Sequence, residues 1–180
     1  YLYEACLLIP AFSGYREEAV RKGLAGFLGG FRTENLRRLL REELGDPEFL
    51  DGFRPKLTAP GLTRAIGPEL VVHSFAGNTP GLPAQSLVCA MLVKAAGIGK
   101  LASEEPVFGP LFARSIASVD ASLADCVALS YWPGEEASRE RSPAAAAFEA
   151  ADLVVAYGSD EAIESVRSHV PLRTRLISYG

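Results

Sequence analysis

The sequence predicts an α/β chain built on a parallel sheet with helices on both faces. Three observations carry this. From Leu70 onward, short runs of β-branched and aromatic residues alternate with helical stretches. Glycine, proline and polar clusters punctuate the alternation. With 180 residues, of which 48% are apolar, the chain is long enough to bury a real core.

Residues 1–69 read as a helical N-terminal segment with an irregular linker, and residues 70–180 as the sheet domain, incomplete at its C-terminal end. Tyr15 to Phe27 is predicted to be a helix, with Ser13 as its cap and Glu17 and Glu18 in its first turn. Thr33 to Glu43 is a second, weakly capped helix. Leu36, Leu39, Leu40 and Leu44 fall at helical spacing, with Arg37, Arg38, Arg41 and Glu42 on the other side. That charged side is read as a solvated face, the alternative being a contact with a phosphorylated partner. Gly45-Asp46-Pro47 ends the helix, and Pro55, Pro60, Gly61, Gly67 and Pro68 leave loop and short edge structure from Glu48 to Pro68.

The first strand of the domain is the apolar run Leu70 to Ala76. Gly77-Asn78 breaks it, Pro80 and Pro83 bracket a tight turn, and Pro83 suits a first helical position. The helix predicted from Ala84 to Ala96 is apolar on most faces and expected to be covered. Gly97 is expected to stop it, and Ile98 to Leu101 to form the second strand. A helix from Val107 to Val119 and a strand from Cys126 to Tyr131 follow. Trp132-Pro133-Gly134 turns out of that strand, and a polar loop runs to Pro143. Ala144 to Ala150 is a short helix, Leu153 to Tyr157 the fourth strand, Gly158-Ser159-Asp160 a turn, Glu161 to His169 a helix and Arg175 to Tyr179 the fifth strand.

Composition excludes several classes. A net charge of −4 gives no support for a nucleic-acid surface. No segment reaches membrane-spanning length without charge, and no signal-peptide pattern opens the chain. Cys6, Cys89 and Cys126 form no CxxC, which favours reduced thiols and a cytoplasmic setting. Both ends read as cut from something longer. The GxGxxG, GxxxxGK[ST] and GxSxG patterns are missing. His73 and His169 lack cysteine neighbours at ligand spacing, so no metal site is expected. His73 reads as a hydrogen-bonded core histidine, and Cys89 and Cys126 as inert buried thiols.

In open parallel sheets, ligands bind beyond the carboxyl ends of the strands. The loops there run from Gly77 to Pro83, Ala102 to Pro106, Trp132 to Ser142 and Gly158 to Asp160. Asn78 is an amide between chain breakers. It suits donation to a developing oxyanion, or a turn that satisfies its own backbone. Gly158 and Ser159 suit a phosphate at a helix start, or an ordinary helix cap. Lys100 and Glu104 suit a nucleotide ribose, or a plain surface. Arg139 and Arg141 lie in another of these loops.

Taken together, Phe75 to Pro83 (FAGNTPGLP), Lys100-x-x-Ser103-Glu104-x-Pro106, Tyr131-Trp132-Pro133-Gly134 and Ala156-Tyr157-Gly158-Ser159-Asp160 resemble the acyl-CoA reductase family. The best-known member is the fatty-acid reductase of bacterial luminescence, within the aldehyde dehydrogenase superfamily. The tract from Glu34 through Phe53 resembles it too, so the likeness covers nearly the whole chain.

The resemblance implies a variant Rossmann fold of the aldehyde dehydrogenase type, truncated here, which accounts for the missing glycine fingerprint. It implies reduction of an acyl-CoA or similar thioester to an aldehyde by NADPH (NAD being the alternative), through an acyl-enzyme on a cysteine. By the same likeness Asn78 helps hold the oxyanion, Lys100, Ser103 and Glu104 hold the adenosine ribose, and Gly158 and Ser159 meet the pyrophosphate. None of the three cysteines matches the superfamily's nucleophile, expected further along than Gly180, so this chain alone is expected to be inactive. Ile177-Ser178-Tyr179-Gly180 stands where many aldehyde dehydrogenases carry a general-base glutamate, which suits thioester reduction. An acyl-transferase or synthetase partner and an oligomeric full-length form are further expectations. A non-catalytic nucleotide-binding scaffold and an oxidative aldehyde dehydrogenase stay open as alternatives.

Overall fold

The computed structural model describes residues 15–55, 60–79, 81–133 and 142–180. Helices α1 (Glu17–Gly29) and α2 (Thr33–Leu44), a 3-10 turn over Pro47–Leu50, and the antiparallel pair β1 (Arg54–Pro55) and β2 (Leu62–Thr63) precede the main sheet. Then come β3 (Leu70–Ser74), α3 (Leu82–Leu92), β4 (Ala96–Lys100), α4 (Phe108–Ala117), α5 (Ala121–Ala124) and β5 (Val127–Ser130). The chain closes with α6 (Pro143–Ala150), β6 (Leu153–Tyr157), α7 (Asp160–Arg167) and β7 (Arg175–Tyr179). Strands β3 to β7 form one parallel sheet in the order β5-β4-β3-β6-β7. This is a mixed α/β fold consistent with the aldehyde-dehydrogenase-type Rossmann variant.

The strand order fixes where a ligand can bind. The chain steps outward from β3 to β5, then returns to lay β6 against the other edge of β3. The crossovers on either side diverge at β3 and β6, opening a crevice beyond their carboxyl ends.

Alternation along β3 divides the core. Val71, His73 and Phe75 face one side, and Val72 and Ser74 the other. On the first side Val20 and Leu24 of α1 join Phe75, Ala84, Leu87, Leu101, Phe108 and Phe112, with Phe27 and Phe31 packed edge-on. Helix α1 thus shares a core with the sheet. On the second side Val72 and Val154 meet Trp132, Ala144, Ala147, Phe148 and Ala151, with Val166 of α7 alongside. The Asp152 carboxylate accepts the N–H groups of Glu69 and Leu70 at 2.9 and 3.1 Å, which pins the start of β3 beside β6.

Several boundaries differ from the sequence expectation. The helix after β3 covers Leu82–Leu92, and Gly97 lies inside β4 instead of stopping a helix. Lys94 takes a positive φ of 64°, Ala95 N–H turns back to Ala90 C=O, and Ala96 N–H is already paired with Glu69 C=O at 2.9 Å. Sheet pairing outweighs local helix preference there. Only one face of α3 is covered: Ala84, Leu87 and Ala90 are buried, while Gln85 and Cys89 are exposed. Strand β3 ends at Ser74, two residues early, and β5 is shorter than expected at both ends. The helix expected to reach Val119 ends at Ala117, and a separate turn, α5, follows with Asp120 accepting Leu123 N–H at 3.0 Å. Helix α7 starts at Asp160 and ends at Arg167. The N-cap of α1 is Arg16. Ser13 lies outside the described residues. Among those residues no helix is long and apolar enough to cross a membrane.

Candidate functional site: a cleft at the carboxyl ends of β3, β4 and β6

A cleft of about 740 Å³ opens where the topology places it. Its lining includes Asn78, Lys100, Ser103, Glu104, Gly158 and Ser159. All the site residues expected from the sequence therefore meet in one cavity, although they lie up to 81 residues apart, Ser159 less Asn78. Parallel strands bring this about, because every strand-to-helix loop emerges at the same edge.

On the β3–β4 side the loops touch. A Cβ on Gly77 would lie 2.7 Å from Glu104 Cβ, so only glycine admits Glu104 so close to the turn. The exposed Asn78 accepts the Thr79 hydroxyl on Oδ1 at 3.3 Å. Its amide N–H groups are the donors it offers to the cleft. Lys100, the last residue of β4, is half-buried, and burial pushes its ammonium below the ordinary lysine value. Among the described residues no carboxylate pairs with it and no other lysine or arginine lines the cleft. An ammonium partly stripped of water and unpaired attracts an anion or a dense set of hydroxyls. Ser103 and Glu104 are exposed. Their loop is anchored by Glu105, a buried carboxylate that accepts the N–H groups of Val107 and Phe108 at 3.0 and 2.8 Å and caps α4.

The β6 side is built differently. Gly158 has a φ of 147°, which disfavours any residue with a Cβ, and a Cβ there would lie 3.2 Å from that of Ala162. Its N–H donates to Tyr179 C=O at 3.2 Å. The Ser159 hydroxyl caps α7 by accepting Ala162 N–H at 3.4 Å. It also donates to Glu161, whose carboxyl is held below its ordinary value by that bond. With the hydroxyl so engaged, the turn presents backbone and no cation. Asp160 and Glu161 already occupy the positive end of the helix.

Structure adds residues that sequence reasoning missed. Trp132, where the chain leaves β5, is 6% exposed and packs with Phe148 in the lining of the cleft. Tyr157 and Tyr179 also line the cleft, their rings stacked at 5.1 Å and 13°. Nothing local in the sequence marks these, since their partners are distant in the chain. The cysteine expectation is corrected. Cys89 and Cys126 are both exposed, because the Cys89 face of α3 is uncovered and Cys126 sits at the sheet edge. Partial burial of the Cys89 thiol raises its pKa, the opposite of activation. Cys6, Arg139 and Arg141 lie outside the described residues. Among the described residues no group of three His, Cys, Asp or Glu is placed to hold a metal.

Comparison with known proteins bears on what this cleft serves. The family model described as "Acyl-CoA reductase (LuxC)" matches residues 1–180. The chain is similar to long-chain acyl-protein thioester reductase 2 of Photobacterium leiognathi, 29% identical over 144 residues, which is 79% of this chain and 29% of that protein. It is also similar to the long-chain acyl-protein thioester reductases of Photorhabdus luminescens (28% identical) and Aliivibrio fischeri (26% identical), with the same coverage of each. The matched region thus spans less than a third of those relatives.

Proposed function

This chain belongs to the acyl-CoA reductase (LuxC) family, and from that premise we propose that it is the cofactor-binding part of a reductase that converts a fatty acyl thioester to an aldehyde with NADPH. The observation that carries the reading is the half-buried Lys100, without a carboxylate partner among the described residues, at a topological switch point and in the same cleft as Asn78 and the Gly158–Ser159 turn.

The residues present fit a dinucleotide. Lys100, Ser103 and Glu104 hold a ribose, with the Lys100 ammonium donating to hydroxyl or phosphate oxygens. The backbone at Gly158 and Ser159 approaches the pyrophosphate, the absent Cβ of Gly158 leaving room. Trp132 and Phe148 give the cleft an apolar base. When bound, NADPH supplies hydride for reduction of the acyl group. Asn78 donates its amide N–H to the oxygen of an acyl group held as a thioester, where negative charge develops as the carbonyl becomes tetrahedral. The nucleophile is a cysteine thiolate in the remainder of the whole reductase, and the substrate is an acyl-CoA or a protein-bound thioester like those named for the relatives.

Calorimetric titration of the chain with NADPH, and separately with NAD, tests the cofactor assignment. Saturable binding of either is expected, and no heat with both removes it. In the whole reductase, Asn78→Ala is expected to lower turnover by about 10²–10³. Wild-type turnover would take Asn78 out of the oxyanion role.

A further inference from the structure

We propose that Tyr157 is a positioning residue: its hydroxyl, held by Ser86 and through Ser86 by His73, fixes the Gly158–Ser159 turn on the β6 side of the cleft. Tyr157 is the last residue of β6, and its hydroxyl donates to Ser86 Oγ of α3 at 3.1 Å. Ser86 is 5% exposed, and its Oγ shares a 2.7 Å hydrogen bond with Nδ1 of His73, which is 1% exposed on the central strand. When each hydroxyl gives one proton, the chain runs from Tyr157 to Ser86 to His73 Nδ1. The other flank of Tyr157 is held as well. Its ring stacks on Tyr179, and the adjoining Gly158 N–H donates to Tyr179 C=O. The residue before the glycine turn is thus clamped between α3 and β7.

Apolar residues would fill this space at lower desolvation cost. His73 Nε2 has no hydrogen-bond partner among the described residues, so the polar chain is not there for stability alone. What it specifies is direction: one hydroxyl position for Tyr157 and hence one backbone path into Gly158. Burial raises the Tyr157 phenol further above its ordinary value and keeps it a donor.

The consequence for nucleotide binding rests on the reading of Gly158–Ser159 as the pyrophosphate turn, whereas the clamp itself is measurable without nucleotide. Amide hydrogen exchange at Gly158 in the nucleotide-free chain is the first readout, and the NADPH dissociation constant the second. Tyr157→Phe keeps ring and stacking but is expected to speed Gly158 exchange about three- to tenfold, the worth of one neutral hydrogen bond, while Val154 and Val155 hold their rates. Ser86→Ala is expected to act in the same direction. His73→Asn, which keeps a side-chain amide to bond Ser86, should exchange more slowly at Gly158 than His73→Leu. NADPH should weaken by a factor similar to the exchange change in Tyr157→Phe. Unchanged exchange at Gly158, or acceleration spread evenly across the sheet, would overturn the clamp. Faster Gly158 exchange with unaltered NADPH affinity would support the clamp and take the turn out of the nucleotide site.

Discussion

The two sides of the cleft carry different parts of the work. The β3–β4 side holds charge: Lys100 is half-buried without a carboxylate partner among the described residues, and Asn78 and Glu104 line the same cleft on loops that touch through Gly77. The β6 side holds shape: a glycine at positive φ, a serine spent on capping a helix, and acidic residues where a bare helix end would attract phosphate. Behind it the Tyr157–Ser86–His73 chain runs from the half-buried Tyr157 at the cleft to the buried Ser86 and His73. A site divided in this way should lose affinity when the first side is altered, and lose conformation when the second is.

The largest expected effect is on the shape side. Burial lowers the His73 pKa from 6.5 to about 4, so between those values the unfolded chain binds a proton that the folded chain refuses. Stability is therefore full above pH 6.5 and falls as pH drops toward 4, by roughly 3 kcal/mol in all. Urea midpoints at pH 7 and pH 4.5 measure this, and in His73→Asn that part of the pH dependence should vanish.

Next comes Lys100→Met, which keeps the apolar stem and removes the ammonium. NADPH affinity is expected to drop about 10- to 100-fold, the range for a hydrogen bond to a charged group. The thermal midpoint should not fall, because the lost charge was desolvated and unpaired. A fall in stability without loss of binding would reverse the assignment of charge to this side. Gly158→Ala strains the turn, with an expected destabilisation of about 1 kcal/mol or somewhat more, read by urea unfolding. Ser159→Ala is expected to cost about 1 kcal/mol or less at this exposed cap, and Ser159→Gly is the smallest change, only a few tenths of a kcal/mol.

How much was legible in the sequence differs between the same two regions. Strands β6 and β7 stand at their predicted limits, because Leu153–Tyr157 is a continuous apolar run and Arg175–Tyr179 carries Leu176, Ile177 and Tyr179, each strand with turn residues before it. The boundary between α3 and β4 was not legible. Ala95, Ala96 and Gly97 carry little preference for a strand, and pairing with Glu69 and β3 decides their state. The gathering of Asn78, Lys100 and Gly158 followed from topology alone, since parallel strands deliver their loops to one edge. The support behind the turn did not follow. Ser86 and Tyr157 are 71 residues apart, and neither carries a local pattern that announces the other. Exposure of Cys89 was hidden for a similar reason: apolar neighbours on a helix say what can be covered, and only the packing says what is.

The most direct test of the central claim, that both sides form one dinucleotide site, is amide chemical-shift mapping of the chain during titration with NADPH. The account predicts saturable shifts at Gly77, Asn78, Lys100 and Ser103 together with Gly158 and Ser159, all with one dissociation constant. Shifts confined to one side, or none on either, would contradict it.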